Sequence, residues 1–285
     1  MIVRRVGLLL ALVGLAGLGA GLLLADSPPD GERQANGAAS ALEDPPARLA
    51  GTVTNGASVV NTDAAGQWLD DAEALMVDRR FAEAGALLSA GVDRMPDGWQ
   101  PISKDGDRVV LAAWDLGEFL RFAKDSDPLS GPGVVWVTPS YSKARYLLAV
   151  IAVETGDVEG AFHHIVCAIA LQPYHPLVMH EAAIILRGIG VVAEGLAVLE
   201  KADHVPAWLM TPDRRALLER SRGVTLVELG RLDEAEAALR ASLDLEPDSA
   251  VARRELEYIA ELRARGAAAR EPIVLTPLTE EPKKR

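Results

Sequence analysis

The amino-acid sequence predicts an all-α protein, an α-solenoid in which helix pairs stack and share one elongated core. Three copies of one spacing carry this prediction: a small residue, a bulky residue, a second small residue and then a proline. The copies run Ala84-x3-Leu88-x2-Gly91-x4-Pro96, Ala161-x3-Ile165-x2-Ala168-x4-Pro173 and Ala235-x3-Leu239-x2-Ser242-x4-Pro247. A weaker copy runs from Gly195 through Leu199 to Ala202. Around these copies, apolar residues recur three and four positions apart, as they do in helices with one buried stripe.

Residues 1–25 have the pattern of a targeting segment. Arg4 and Arg5 precede an uncharged apolar run over residues 6–25, and this order of charge and apolar run predicts export with the N-terminus inside. The run is long enough to span a bilayer, yet Ala25 before Asp26 offers a cleavage position, so a retained signal-anchor and a cleaved signal peptide both stay open. We expect the rest of the chain outside the cytoplasm, either anchored in the inner membrane and facing the periplasm, or free in the periplasm.

Residues 26–64 are rich in Pro, Gly, Ser and Asn and lack a periodic apolar pattern, which predicts a disordered tether. The whole chain carries a formal net charge of -12. Nucleic-acid partners are therefore not expected, because phosphates require clustered lysine and arginine. The single cysteine, Cys167, excludes an intramolecular disulfide, so the folded part has to rely on packing.

The folded domain is predicted over residues 65–265. Its helix pairs are expected at 65–95, 142–171, 176–203 and 214–244. Glycines suited to the turn inside a pair stand at Gly156, Gly190 and Gly230. A closing helix over 251–265, capped by Asp248 or Ser249, should cover the last apolar face. The tail over 266–285 is expected to be flexible.

The segment over residues 97–141 interrupts the repeats. We expect a helix over 109–124 and an extended stretch over 134–137, which indicate a degenerate repeat that lost its second helix to an irregular loop. Loops of this length in compact folds are often functional. Because this insert departs most from the repeat pattern, Trp114 and Trp136 within it are candidate ligand contacts.

The spacing resembles that of the tetratricopeptide repeat family, whose helix-turn-helix unit has 34 residues. Gly195 lies 34 positions after Ala161, and Trp68 and Gly223 match the family's tryptophan and glycine, although no copy carries the complete motif. The resemblance covers residues 65–96 and 142–265. It implies a right-handed solenoid in which the first helix of each pair lines a concave groove, in an exported or membrane-anchored member of the family.

The candidate groove residues are polar or aromatic and lie three or four positions apart on the first helices: Lys143, Tyr146, His180, Arg187, Arg220, Arg254 and Tyr258. Arginine binds carboxylates bidentately and tyrosine offers a rigid contact area, so such a groove suits an extended peptide or an acidic segment of a partner protein. The alternative is a solvated helix face on which these cations pair with nearby acids, Glu154, Glu181, Glu219 and Glu255. The family's lysine-asparagine clamp for C-terminal carboxylates is missing.

The expected function is a non-catalytic protein–protein interaction or scaffold module of the cell envelope, without a cofactor and with an oligomeric state that stays open. A membrane contact is expected only through residues 6–25, if they are retained. The alternative is a binder of a small ligand or an envelope polysaccharide through the tryptophans of the insert, Trp99, Trp114 and Trp136.

Catalytic and metal sites are not expected. The chain has no nucleophile elbow, phosphate loop or zinc-protease motif, and Asp115-x2-Glu118 is interpreted as a solvated helix face. His163, Cys167 and His180 could in principle approach one another around a metal. A buried structural cysteine is the favoured interpretation, since free cysteine is among the most buried residue types.

Overall fold

Ten α-helices and one small sheet make up the part of the chain that the structure, a computed structural model, describes: residues 49–54, 57–125 and 133–266. The prediction of a mostly helical chain is confirmed. The paired helices are α1 (Asp63–Val77) with α2 (Phe81–Val92), α4 (Tyr141–Thr155) with α5 (Val158–Leu171), α6 (Pro176–Gly188) with α7 (Val192–Leu199), and α8 (Pro212–Glu228) with α9 (Leu232–Leu245). A short 3-10 helix, Glu200–His204, extends α7. The insert contributes α3 (Leu116–Asp125), and α10 (Ala250–Ala264) ends the series.

Small residues let the two helices of each pair approach closely. The first small residue of the spacing is fully buried at Ala84, Ala161 and Ala235, and the bulky residue that follows is no more than 2% exposed at Leu88, Ile165, Leu199 and Leu239. The turns inside three pairs use left-handed backbone, with φ of 76° at Gly156, 86° at Gly190 and 72° at Gly230. Glycine adopts this conformation at no steric cost, so the chain reverses direction without strain.

Each helix pair packs against the next one along the chain. The contacts join α2 to α4, α5 to α6, α7 to α8 and α9 to α10. The largest buried cluster is continuous from Trp68 on α1 to Ile185 on α6, and another runs from Leu196 on α7 to Leu262 on α10. Ser249 caps α10 by accepting a hydrogen bond from the backbone N–H of Ala252 at 3.4 Å. Neighbouring pairs therefore bury each other's apolar faces.

A five-stranded sheet accompanies the helices, and the sequence predicted only one extended stretch of it, over 134–137. Its strands are β1 (Leu49–Thr54), β2 (Ala57–Thr62), β3 (Ile102–Asp105), β4 (Arg108–Leu111) and β5 (Val134–Trp136), in the order β1-β2-β5-β4-β3. Two antiparallel hairpins, β1–β2 and β3–β4, flank β5, and each pairs with it in parallel. The predicted tether over 26–64 is thus wrong for these first two strands, because backbone pairing with a distant strand supplies the order that local composition does not indicate.

The insert is also more ordered than predicted. The helix expected over 109–124 begins only at Leu116, since residues 108–111 form β4, whereas the extended stretch near 134–137 is present as β5. Residues 134–136 of this insert are therefore a sheet strand. Phe119 of α3 is fully buried beside Leu111 of β4 and Val134 of β5 in a core of their own.

Within residues 49–54, 57–125 and 133–266, no helix combines the length and the apolar character needed to cross a membrane. The targeting segment over 1–25, the first part of the tether over 26–48 and the tail after Gly266 lie outside the described residues.

Gly223 on α8 provides a test of this close helix packing. An alanine Cβ there would lie 2.6 Å from Cγ of the buried Leu239 and 3.2 Å from the carbonyl oxygen of Ala235. We therefore expect Gly223→Ala to lower the free energy of unfolding by about 1–3 kcal/mol, although alanine is the better helix former. Urea unfolding followed by circular dichroism measures the loss.

Gly85→Ala on α2 is the matched control, because its Cβ would meet only Ile151 Cγ2, at 3.8 Å. This substitution should be neutral or stabilise the protein by up to about 1 kcal/mol. Equal effects of the two substitutions would contradict the close approach of α8 and α9.

Candidate functional site

A buried carboxylate, Glu118 on α3, joins three distant parts of the chain. Its Oε1 accepts hydrogen bonds from Arg214 Nη2 at 2.6 Å and from His175 Nε2 at 2.9 Å, and its Oε2 accepts one from the backbone N–H of Trp114 at 2.9 Å. Glu118 and His175 are both 0% exposed, and Arg214 is 8% exposed. Glu118, His175 and Arg214 are called the Glu118 cluster below.

Helix starts bring the members of the Glu118 cluster together. Asp115 precedes α3, and its Oδ1 accepts a hydrogen bond from the backbone N–H of Glu118 at 2.8 Å. Glu118 in turn reaches back to the N–H of Trp114, a variant of the capping box that turns the carboxylate inward. His175 immediately precedes α6, and Arg214 lies in the first turn of α8. The carboxylate is thus bound near the N-terminal ends of three helices, where negative charge is favourable.

Electrostatics keep Glu118 ionised. Burial alone would raise its pKa, but hydrogen bonds from His175 and the Trp114 N–H, together with the charge of the Arg214 guanidinium, outweigh burial and hold the pKa well below its usual range. Burial lowers the pKa of His175 despite the adjacent carboxylate. The imidazole is therefore neutral and donates its Nε2 proton to Glu118, while the Arg214 guanidinium balances the negative charge.

The Glu118 cluster has no access to a substrate. A carboxylate that orients an imidazole is a common catalytic arrangement, but a general base has to reach the proton that it removes, and both groups are fully buried. The Trp114 ring stacks on the His175 ring with 3.6 Å between centroids, and its Nε1 donates to Gln172 Oε1 at 3.0 Å. The arrangement is suited to holding the insert on helices α6 and α8.

Three predicted groove residues lie inside the protein, which corrects their assignment as partner contacts. Lys143 is 8% exposed, forms an ion pair with Glu73 of α1 and donates to the carbonyl oxygen of Trp114 at 3.1 Å. Tyr146 is 6% exposed, because the Trp114 ring covers it at 5.1 Å between centroids. The insert therefore covers the face of α4 that was predicted from the sequence to contact a partner.

Arg220 is the third of these residues and is 8% exposed. Its Nη1 lies 2.5 Å from Glu246 Oε2 and 3.1 Å from Ser249 Oγ, in the connection between α9 and α10. The arginine thus ties α8 to the end of its partner helix α9 and to the start of the closing helix α10, and it is not available to a partner protein.

The other four predicted groove residues differ in exposure. His180 and Arg187 on α6 are half-buried and contact α8: His180 hydrogen-bonds Ser221 Oγ, and Arg187 Nη2 lies 3.0 Å from Glu228 Oε1. Burial, with Arg220 and Arg187 nearby, lowers the pKa of His180 to about 3, so this imidazole is uncharged at neutral pH. On α10, Arg254 is exposed and Tyr258 is half-buried.

The acidic partners of these cations are mostly not the ones expected. Lys143, Arg187 and Arg220 pair with Glu73, Glu228 and Glu246. Of the acids named from the sequence, Glu219 pairs with Arg222 on its own helix at 3.4 Å, Glu154 lies 3.8 Å from Arg79, and Glu255 is half-buried on α10.

Glu181 on α6 is 7% exposed and has no ion pair among the described residues. Burial and the neighbouring Glu154 raise its pKa to about 7. This carboxyl is therefore partly protonated at neutral pH, unlike the surface acid that the sequence suggested.

The tryptophans of the insert pack inward. Trp114 is 6% exposed, and the half-buried Trp136 donates from Nε1 to the carbonyl oxygen of Ala113 at 3.1 Å and stacks on Phe119. Trp99 meets Tyr141 edge-on at 5.3 Å between centroids. These contacts use the indole rings for packing and leave Trp114 without a free face for a ligand.

The metal alternative is not assembled in the described part of the chain. His163 Nε2 lies 4.0 Å from Cys167 Sγ, but His180 faces Ser221 on another helix. Among the described residues, no three His, Cys, Asp or Glu side chains come together in a way that could hold a metal ion.

Sequence reasoning missed the Glu118 cluster. The Asp115-x2-Glu118 pattern was visible, but its interpretation as a solvated face is wrong for Glu118, which is fully buried. The only local signal was that such a pattern also fits the start of a helix. His175 and Arg214 lie 57 and 96 positions from Glu118, so no local pattern could connect them.

The comparisons with known proteins identify no relative. No family model matches the chain, and neither the curated proteins nor the solved structures include a match. The resemblance to the tetratricopeptide repeat family therefore stays a prediction from the sequence.

The Glu118 cluster can be tested by removing the carboxylate. Glu118→Ala leaves Arg214 buried without its closest acid, and we expect the free energy of unfolding to fall by about 3–5 kcal/mol. Urea unfolding monitored by circular dichroism measures the change. Glu83→Ala on α2, which breaks an exposed ion pair with Arg80 just before that helix, is the matched control and should have no measurable effect. Similar losses in the two variants would rule out a special role for Glu118.

Glu181 predicts a dependence of stability on pH. The unfolded carboxyl loses its proton near the ordinary pKa of 4.5, whereas the folded one keeps it up to about 7, so stability falls as the pH rises through this window. Glu181→Gln replaces the carboxyl with an amide that resembles its protonated form and stays uncharged at every pH. It should stabilise the protein by on the order of 2–3 kcal/mol at pH 8 and change little at pH 4.

Urea midpoints measured from pH 4 to pH 8 check this expectation. Glu257→Gln on the exposed face of α10 controls for the loss of one negative charge. A Glu181→Gln effect that is equal at both ends of the pH range would show that burial does not hold the proton.

Proposed function

We propose that this chain is a non-catalytic protein-interaction scaffold of the cell envelope, built on a right-handed α-solenoid of the tetratricopeptide type. The observation that supports the proposal most directly is the alignment of successive first helices. His180 contacts Ser221 and Arg187 contacts Glu228, and both contacts span 41 positions. His180 and Arg187 are about two helical turns apart on α6, and their contacts Ser221 and Glu228 are two turns apart on α8 in the same order. The two helices therefore run side by side in the same direction.

Parallel first helices are the arrangement expected when helix-turn-helix units repeat by translation and rotation. The partner-facing surface that we propose is smaller than the groove predicted from the sequence, because Lys143, Tyr146 and Arg220 are buried. Arg254 and Tyr258 remain on the surface of α10, four positions apart and hence on one side of the helix.

The chemistry of this surface fits an acidic segment of a partner protein. A guanidinium binds a carboxylate through two parallel hydrogen bonds, and the adjacent tyrosine ring adds contact area at low entropic cost. The chain is acidic as a whole, with a net charge of -12, so an exposed arginine of this kind is a position at which an acidic partner meets an opposite charge.

Export and attachment belong to the same proposal. Residues 6–25 would hold the helical part on the outer side of the inner membrane, or direct it to the periplasm if they are cleaved. Attachment by a tether raises the local concentration of a binding surface without any new contact, which suits a scaffold.

Crosslinking in intact cells, followed by mass spectrometry of captured proteins, tests the proposed surface. We expect Arg254→Glu to reduce the yield of the main crosslinked partner at least about tenfold, since charge reversal turns an attraction into a repulsion worth more than 1.4 kcal/mol. Arg253→Glu is the matched control: it makes the same charge change on the neighbouring exposed position of α10. Equal capture by both variants would refute the α10 surface.

A further inference from the structure

Helix α5 presents an apolar stripe to the outside. Phe162 is 43% exposed and Val166, one turn later, is 46% exposed. Together with the exposed residues around them, they form the α5 stripe: Glu159, Phe162, His163, Val166 and Ala170. In a chain with 25% charged residues, no Asp, Glu, Lys or Arg lies between Glu159 and Glu181. Exposed apolar residues grouped in this way mark surfaces that bind other proteins.

The repeat itself does not require this stripe. In the spacing that relates α5 to α9, Ala161 corresponds to Ala235, so Phe162 and Val166 correspond to Glu236 and Arg240. In α9 these positions carry an ion network: Arg240 Nη2 and Arg263 Nη1 of α10 both lie 2.5 Å from the Glu236 carboxylate. A solvated, charged surface is therefore compatible with the fold at these positions, and α5 departs from it.

We propose that the α5 stripe binds the α5 stripe of a second copy of this chain, with the two helices antiparallel about a twofold axis. In this arrangement Phe162 of each copy packs over Val166 of the other. Two apolar residues one turn apart are self-complementary under a twofold rotation, as an isologous interface requires. The proposal goes beyond the partner surface on α10 and does not depend on it.

Charge does not oppose a second copy at this position. Two chains that each carry a net charge of -12 repel one another over most of their surfaces. The stripe has a single acid, Glu159, and next to it Arg145 of α4 contacts His164 at 3.2 Å between Nη1 and Nδ1. It is therefore a face on which two copies can approach with little electrostatic cost.

The expected dimer is weak. One crossing of two helices buries an area at the low end of specific interfaces, so we expect a dissociation constant on the order of 10 µM or more. Sedimentation equilibrium of the purified full-length chain should then show a monomer–dimer equilibrium that shifts with protein concentration.

Phe162→Glu is the decisive variant, because it places two carboxylates in the contact. It should raise the dissociation constant at least about tenfold. Val166→Glu should do the same, which guards against an effect particular to one substitution. Ala237→Glu, on the exposed face of α9, is the matched control and should leave the dimer unchanged. Thermal unfolding of each variant confirms that the fold is intact.

A wild-type chain that remains monomeric up to about 1 mM would overturn the proposal. A dimer that resists both Phe162→Glu and Val166→Glu, or one that Ala237→Glu disrupts equally, would do so as well. The result is separable from the α10 surface, since the Arg254→Glu crosslinking comparison can succeed or fail whatever the oligomeric state.

Discussion

The buried carboxylate of Glu118 is the interaction on which the arrangement of this chain depends. Removing a carboxylate from water costs several kcal/mol unless hydrogen bonds and an opposite charge replace the lost solvation. That replacement comes from His175 before α6 and Arg214 in α8, neither of which belongs to the insert. The insert is therefore stable in its position only when helix pairs far along the chain are already in place. One acid thus links the folding of the sheet region to the folding of the helical series.

The same requirement explains why most of the predicted groove is closed. Polar residues on the first helices are used to join one helix to another, as in the contacts of Lys143 with Glu73, Arg187 with Glu228 and Arg220 with Glu246. Buried or half-buried pairs of this kind contribute less to stability than apolar packing of the same volume. They do, however, penalise any shift of one helix along its neighbour, because a shifted helix would leave a charge buried without its partner. The polar contacts therefore fix the register of helices that apolar packing alone would hold less specifically.

What the sequence could predict depended on distance along the chain. Ala161, Ile165 and Gly156 act within one helix pair, so their spacing was enough to place the helices and the turn between them. The extended stretch at β5 was expected, but the other four strands were not, and the pairing of β2 and β4 with β5 joins segments far apart in the chain. The sequence did not predict the Glu118 cluster because its members also lie far apart in the chain. Its members look like ordinary surface residues until the fold brings them together, and only burial distinguishes Glu118 from any other acid at the start of a helix.

The binding surfaces that we propose use exposed residues of α10 and α5, because Lys143, Tyr146 and Arg220 are buried. The polar side of α10 and the apolar stripe of α5 lie on different helices, and their chemistry differs: the first is the contact that we propose for an acidic partner, and the second is the one that we propose for another copy of this chain. A weak dimer through α5 would carry two α10 surfaces, and two linked surfaces bind a multivalent partner more tightly than either does alone. Attachment to a membrane would add to this effect by concentrating the chains. Under these conditions low affinity at each surface is sufficient, and assembly would respond steeply to the number of chains present.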